Sequence, residues 1–469
     1  MEKIKLCITF IILSFTLTSC INKEEKLIAK KPNIIFILVD DQRNDALGCY
    51  GHEIIKSPNI DKLAEEGVRF SNAFVTTSIC MASRATILTG MTSRSNGVSN
   101  MQIPLDTLLS KEVYPKLLKK EGYKTGFIGK FGFSIMGKKE PQNWFDYFKP
   151  TKRYWNEMPD GSNKHETELD GDYAIEFLNQ QDKTQPFCLS VSFNAAHAED
   201  SDLRPGFGHY PWIKEVDGMY EDIRIPEPRL NDSTIYNAHP KFMKESLNRI
   251  RYFWRWDTPE KYQTNMKAYY RLISGIDYTI GRITKELEKL GLADNTIIVY
   301  AADNGYYMGD RGFAGKWSHY EQSLRIPMII FDPRVTKEKR GKVVDNMVLN
   351  LDLPSTFLEY AGVTVPKSYQ GISLKQFLEK DTVTNWRTSF FCEHLYPDKI
   401  IPKWEGVRNE RYKYAVYFEQ NPPYEYLHDL ITDPDELINL ANNPEYKSIL
   451  DELRVECENY VKKYTNISK

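Results

Sequence analysis

The chain carries no basic block. Lys and Arg number 62 against 64 Asp and Glu, a formal charge of -2 at pH 7 over 469 residues, so nothing points to nucleic acid as a partner. It has no internal repeat and no low-complexity tract, which sets aside solenoid and linker-rich organisation. Cysteine is scarce, and the seven present are so widely and irregularly spaced that they form neither a disulfide framework nor a soft-metal site. The one long apolar run near the N-terminus, Leu6 to Phe15, is too short to cross a bilayer. What remains is ordinary for a soluble globular protein: 41% hydrophobic and 27% charged residues, in a chain long enough to bury a large core in one big domain or two.

Lys3 and Lys5 precede that apolar run, which ends in Leu17-Thr18-Ser19-Cys20. A basic n-region, an apolar h-region and a cysteine directly after a small residue read as a signal peptide over residues 1–19. The ending resembles the bacterial lipobox, which implies lipid on Cys20 and a charged tether over residues 20–31. The expectation is an exported lipoprotein of a Gram-negative-type bacterium, held at a membrane by acyl chains and facing the periplasm or the cell surface. Cys49, Cys188, Cys392 and Cys457 are read as unpaired thiols.

Asn33 to Val39 is a nearly continuous apolar run that stops abruptly at Asp40-Asp41-Gln42, the pattern of a strand covered on both faces. Carboxylates at the C-terminal end of such a strand sit where open α/β sheets bind ligands. Helices near 59–67, 112–121, 172–180 and 262–290 then alternate with strands at 124–128, 187–193 and 296–301. The alternation predicts an α/β fold, a mostly parallel central sheet between helix layers, over residues 32–370. Residues 371–469 are expected to form a smaller C-terminal α+β subdomain, with strands at 389–391 and 411–417 and a closing helix over 446–464. Residues 200–258 read as an irregular excursion rich in Pro, Trp, Tyr and Arg. Sugar rings offer apolar faces and hydroxyl rims, so Trp254, Arg255 and Trp256 are candidate substrate contacts there.

The stretch that organises the chemistry is Ser78-Ile79-Cys80-Met81-Ala82-Ser83-Arg84. It lies between a β-like run at 68–75 and helix-compatible residues, which places Cys80 at a helix N-terminus, where free N–H groups and the dipole favour anions and lower a thiol's pKa. Taken alone, such a cysteine is as readily an inert core residue.

Cys80-x-Ala82-Ser83-Arg84 resembles the signature of the type I sulfatases of the alkaline-phosphatase-like superfamily. The resemblance continues through Asp40-Asp41, Gly129-Lys130, His197, Asp303-Asn304-Gly305, Lys316 with Tyr320-Glu321, and Arg325-Ile326-Pro327, and it extends to the C-terminal stretch Tyr424 to Leu440. Three positions depart from the usual pattern: Ala82 for proline, Gly132 where many members have histidine, and Ala196 where proline often precedes the histidine.

The resemblance implies a sulfuric ester hydrolase. A maturation enzyme would oxidise Cys80 to formylglycine (3-oxoalanine), whose hydrate is the nucleophile. Asp40, Asp41, Asp303 and Asn304, with an oxygen of the modified Cys80, would bind Ca²⁺ or Mg²⁺, in keeping with an all-oxygen donor set. Arg84, Lys130 and Lys316 would neutralise the sulfate, and His197 would protonate the leaving oxygen or bind sulfate. His319 is a candidate to stand in for the histidine absent at Gly132 and to touch substrate. The implied substrate is a sulfated carbohydrate, from algal polysaccharides such as ulvan or from glycosaminoglycans. Two alternatives share these residues: a phosphodiester or phosphonate ester hydrolase of the same superfamily, and a silent glycan-binding lipoprotein in which Cys80 stays a thiol.

Overall fold

The computed structural model describes residues 31–136, 141–151 and 153–465. The signal segment and Cys20 lie outside the described residues. Among the described residues no helix is long and apolar enough to cross a membrane.

The architecture is built on an eight-stranded mixed sheet. Its strands are β1 (Asn33–Val39), β2 (Val68–Phe70), β3 (Lys124–Gly129), β4 (Tyr147–Pro150), β5 (Phe187–Ser192), β6 (Thr296–Ala302), β7 (Met328–Phe331) and β8 (Lys342–Val344), in spatial order β8-β2-β7-β6-β1-β5-β3-β4. Five neighbouring pairs are parallel, and only β7 runs against both of its neighbours. The expected mostly parallel sheet is therefore present.

Strand β1 shows why its sequence is apolar throughout. Ile34, Phe36 and Leu38 point into one hydrophobic cluster and Ile35, Ile37 and Val39 into another, because successive side chains of a strand alternate faces. Both faces are covered by helices, so no position tolerates a charge until the strand ends.

Eight main helices accompany the sheets: α1 (Pro58–Glu65), α2 (Cys80–Thr89), α3 (Tyr114–Lys120), α4 (Glu166–Asn179), α5 (Leu247–Arg255), α6 (Pro259–Lys289), α7 (Asp352–Tyr360) and α8 (Lys447–Thr465). Helix α4 begins six residues before its expected start, with the His165 side chain accepting from Thr167 N at its N-terminus. An imidazole at that position gives no conventional capping signal in sequence. Residues expected to be irregular contain α5. Its buried positions include Asn248 and Arg255, while Ile250 and Phe253 are exposed. The usual apolar-in pattern is inverted there, and periodicity reasoning is blind to it.

The C-terminal region is a four-stranded antiparallel sheet of β9 (Ser389–His394), β10 (Trp404–Asn409), β11 (Tyr412–Tyr417) and β12 (Tyr424–Asp429), closed by α8. Phe391, Val407, Tyr414 and Leu427 pack against Leu450, Leu453 and Cys457 of α8. Each buried side chain of this size stabilises by about 1.5–3 kcal/mol relative to exposure. Cys188, Cys392 and Cys457 are buried free thiols and Cys49 is a half-buried one.

Candidate active site

Four adjacent strands, β6-β1-β5-β3, end at one edge of the sheet. The register sets Val39 opposite Ala302, Leu38 opposite Ser192 and Gly129 opposite Ser192. The residues that follow, Asp40-Asp41, Asp303-Asn304 and Lys130, therefore emerge together. The turn after β5 is tied to the same edge: Asp40 N–H donates to Ala195 O at 3.1 Å and Ala196 N–H to Asp40 O at 2.8 Å, which brings in His197. Asp41 adopts a left-handed backbone, φ 51°, a conformation that aspartate tolerates better than most residues at functional turns. Its carbonyl accepts from Tyr269 Oη at 3.0 Å.

Cys80 is the first residue of α2, as its sequence context predicts, and every residue of that helix is buried. One turn on, Arg84 reaches across the site. Its Nε donates to Asp303 Oδ2 at 2.7 Å and its Nη2 to Asp40 Oδ2 at 3.3 Å, while Nη1 binds the Lys130 carbonyl and Ser192 Oγ. Lys130 Nζ pairs with Asp40 Oδ2, and Lys316 Nζ pairs with Asp41 Oδ1 and stands 3.7 Å from Asp40 Oδ1. His197 Nε2 lies 3.6 Å from Asp41 Oδ2. Three carboxylates and three permanent cations are thus interleaved in one buried cluster.

The charges set the electrostatics. Burial alone would raise Asp40, but Lys130, Lys316, His197 and Arg84 hold it far below the ordinary carboxylate range. Asp303 goes the other way, pushed up to about 7 by burial and by the neighbouring Asp40 charge. Burial pushes the Cys80 thiol up, outweighing Lys130 and Lys316. This corrects the expectation of an acidified thiol: desolvation exceeds what the helix N-terminus and two ammonium groups contribute. An unmodified Cys80 is a neutral thiol. Burial also lowers His197. The His197 Nδ1–H donates to Ala198 O at 2.7 Å, which fixes the tautomer and leaves Nε2 to exchange a proton.

The donors suit a divalent cation. Ligand atoms of Asp40, Asp41 and His197 lie within 4.8 Å of one another. Asp40 Oδ1 and Asn304 Oδ1 are buried without a hydrogen-bond partner, and Asn304 turns its Nδ2 to Asp41 Oδ1 at 2.6 Å, leaving its own oxygen free. Orphaned buried oxygens are costly unless something binds them. Carboxylate and amide oxygens are what hard cations prefer.

Gly132 has a steric reason. It sits at φ +94°, and a Cβ there would stand 2.6 Å from Arg84 Cδ. Arg84 occupies the space in which a side chain at position 132 would begin, so a histidine does not fit this backbone. His319 does not replace it. That ring is wholly buried among aromatics, with Nδ1 2.9 Å from Tyr417 Oη and Nε2 3.3 Å from His428 Nε2, which overturns its assignment as a substrate contact. Trp256 is likewise core, 3% exposed and stacked on Tyr210. Arg255 is fully buried, donating from Nε to His209 Nε2 at 2.6 Å and pairing through Nη2 with Asp200. Trp254, partly buried, lies beside Arg251 and Arg255.

Sequence reasoning missed Ser192, which accepts from Arg84, and Tyr154, whose hydroxyl donates to His197 O. It also missed Glu166, which accepts from Asn194 N at 2.6 Å and so anchors the turn leading to His197. Each acts from an unremarkable local sequence, so only the tertiary arrangement identifies it.

A sheet whose strand ends gather carboxylates, cations and a histidine around a helix-N-terminal cysteine defines a hydrolase of anionic esters. A sulfatase family model matches residues 32–363, and a model of the N-sulphoglucosamine sulphohydrolase C-terminal region matches residues 309–463. The chain belongs to the sulfatase family and is a sulfuric ester hydrolase. An N-acetylglucosamine-6-O-sulfatase of Bacteroides thetaiotaomicron is 30% identical to it, over 96% of this chain and 90% of that protein. An ulvan-active sulfatase of Formosa agariphila is 28% identical, over 94% and 84%. A solved structure in complex with its substrate D-glucosamine-2-N,6-O-disulfate superimposes with a TM-score of 0.80 at 28% identity, covering 93% of this chain and 99% of that one. Members of this family generally use formylglycine and a divalent metal.

Proposed function

We propose that this protein removes sulfate from a sulfated carbohydrate, using a nucleophile made from Cys80 by a formylglycine-generating maturation enzyme. The observation that carries the reading is the placement of Cys80 on the first turn of α2, in the field of Lys130, Lys316, Asp40 and Asp303. A neutral, desolvated thiol is a poor nucleophile, whereas an aldehyde at residue 80 hydrates to a diol, one hydroxyl of which attacks sulfur and the other later expels sulfate.

Asp40, Asp41, Asp303 and Asn304 would hold Ca²⁺ or Mg²⁺ together with an oxygen of the modified residue 80. The bound cation would supply Lewis-acid polarisation of a sulfate oxygen. Lys130 and Lys316 bracket the space beside Cys80 and offset the sulfate charge. Arg84 helps to hold Asp40 ionised, opposes the upward push on Asp303 and fixes the Lys130 carbonyl. These cations act in a site largely closed to water, where charge stabilisation is strongest. His197 keeps its Nδ1–H on Ala198 O, so it acts as general acid by first taking up a proton on Nε2, 3.6 Å from Asp41 Oδ2, and then passing that proton to the departing oxygen.

The names of the two relatives support N-acetylglucosamine 6-O-sulfates and ulvan as the first substrates to screen. The catalytic region spans residues 32–370, and residues 371–469 form its C-terminal subdomain. Residues 1–19 are a signal peptide, and lipid on Cys20 anchors an exported lipoprotein at the membrane, periplasmic or at the cell surface.

His197 provides a direct test of the mechanism. An alkoxide needs a proton to leave and a nitrophenolate does not, so His197→Ala is expected to lose about 10²–10⁴-fold in kcat on a sulfated oligosaccharide and much less on 4-nitrophenyl sulfate. Equal losses would make His197 a sulfate ligand and assign the proton to another group.

A further inference from the structure

Helix α5 turns its polar side inward. Asn248, Arg251 and Arg255, at i, i+3 and i+7, share one face, while Ile250 and Phe253 face solvent. Such inversion wastes apolar surface and buries charge, so it needs a reason beyond packing. Two of the three residues lead to one place. Asp200 accepts from Arg251 Nη2 at 2.6 Å through Oδ2 and from Arg255 Nη2 through Oδ1. The third, Asn248, donates from Nδ2 to the Lys316 carbonyl at 2.6 Å and so ties α5 to the catalytic loop.

This cluster adjoins the active site. Asp200 follows His197 by three residues, and Trp317 follows Lys316 directly. Burial opposes ionisation of Asp200, but His197, Arg251, Arg255 and Lys316 together hold its carboxyl below the ordinary range. The Asp200 side chain remains 32% exposed, so an ionised carboxylate beside His197 and Lys316 is reachable from solvent. The Arg251 guanidinium lies 5.0 Å from the Trp317 ring centroid.

Three donors in the cluster are buried without a hydrogen-bond partner: Arg251 Nε, Arg255 Nη1 and Trp317 Nε1. Orphaned donors at nine-tenths-buried Arg255 and Trp317 mark a place where a ligand completes the bonding. Their chemistry selects the ligand. Arg251 Nη2 and Arg255 Nη2 donate to Asp200 and Arg255 Nε donates to His209, so the remaining N–H groups stand beside a carboxylate whose charge opposes a second sulfate or carboxylate. A carboxylate only accepts. The matching group must donate to Asp200 and accept from a neighbouring N–H, which a hydroxyl does and an anion does not.

We propose that Asp200, positioned by Arg251 and Arg255 of α5 and flanked by Trp317, is a specificity-determining residue that binds a free hydroxyl of the leaving sugar next to the scissile sulfate ester. The inference rests on the reading of the protein as a carbohydrate sulfatase. Because Asp200 stands beside His197, it reads the alcohol half of the ester, and a second sulfate on that hydroxyl would present like charge to the carboxylate.

The test compares wild type, Asp200→Asn and Arg251→Gln on 4-nitrophenyl sulfate, which has no hydroxyl, and on the best substrate among glucosamine, N-acetylglucosamine, galactose and rhamnose monosulfates. Losing a hydrogen bond to a charged group predicts that each variant loses about 10- to 100-fold more kcat/KM on the sugar sulfate than on the aryl sulfate. The extra loss falls in KM, in contrast to the kcat loss expected of His197→Ala. A wild type that splits the aryl sulfate but none of the sugar sulfates overturns the inference, as do equal losses on both substrates or a loss confined to kcat. A wild type that splits neither overturns the sulfatase reading itself.

Discussion

Cys80→Ala is expected to lower turnover by more than about 10⁴-fold, the scale on which removal of a nucleophile acts, with thermal stability little changed. Cys80 carries a small side chain at the start of a helix whose other nine residues are buried and remain in place. The substitution removes the sulfur that maturation acts on, and nothing else in the cluster can replace it: Asp40 and Asp303 are committed to Arg84, and Lys130 and Lys316 to carboxylates. Kinetics with 4-nitrophenyl sulfate beside a melting curve check both halves. Activity above trace with an unchanged melting temperature would remove residue 80 from the chemistry. Cys80→Ser is a weaker probe, since some maturation enzymes accept serine.

Asp40→Asn is the second large effect. Asn keeps the shape of the side chain but removes the charge against which Lys130, Arg84 and Lys316 are balanced. It also turns one oxygen donor into an N–H₂ donor, which repels a cation. Loss of metal affinity and of kcat/KM by at least about 10²-fold is expected, at or beyond the upper end of what disturbing even the groups behind a ligand does. Metal content after dialysis is the readout that does not depend on turnover. A variant that retains metal and full activity would take Asp40 out of the ligand set. Asp41→Ala and Asp303→Ala are read in the same way.

The sheet and the polar ends of its strands were legible in sequence because buried parallel strands must be apolar throughout and must end where charge begins. Asn33 to Val39 followed by Asp40-Asp41, and Thr296 to Ala302 followed by Asp303-Asn304, both obey that rule. The long helix α6 was legible from its length and apolar content, although its middle, Ala268 to Asp277, is buried on every side. What stayed hidden depends on contacts distant in sequence. Gly132 reads as a missing histidine until Arg84 is seen in its space. His319 reads as a loop residue, although it is buried among Tyr417, Tyr426 and His428 of the C-terminal sheet. Helix α5 escaped because its inward face is polar, and Asp200 because nothing local sets it apart from the neighbouring acidic residues Glu199 and Asp202.

The thiol's electrostatics were also beyond the sequence. A helix N-terminus argues for an acidic cysteine, and two nearby lysines strengthen the argument, yet complete desolvation reverses the sign. That reversal favours chemistry in which the sulfur is removed rather than ionised.

The most direct measurement is the mass of the tryptic peptide that spans Cys80, taken from protein produced with its maturation enzyme and treated with iodoacetamide. The prediction is a peptide lighter than the thiol form, carrying an aldehyde at residue 80 and no alkyl group. Active enzyme in which residue 80 is entirely alkylated cysteine would contradict it.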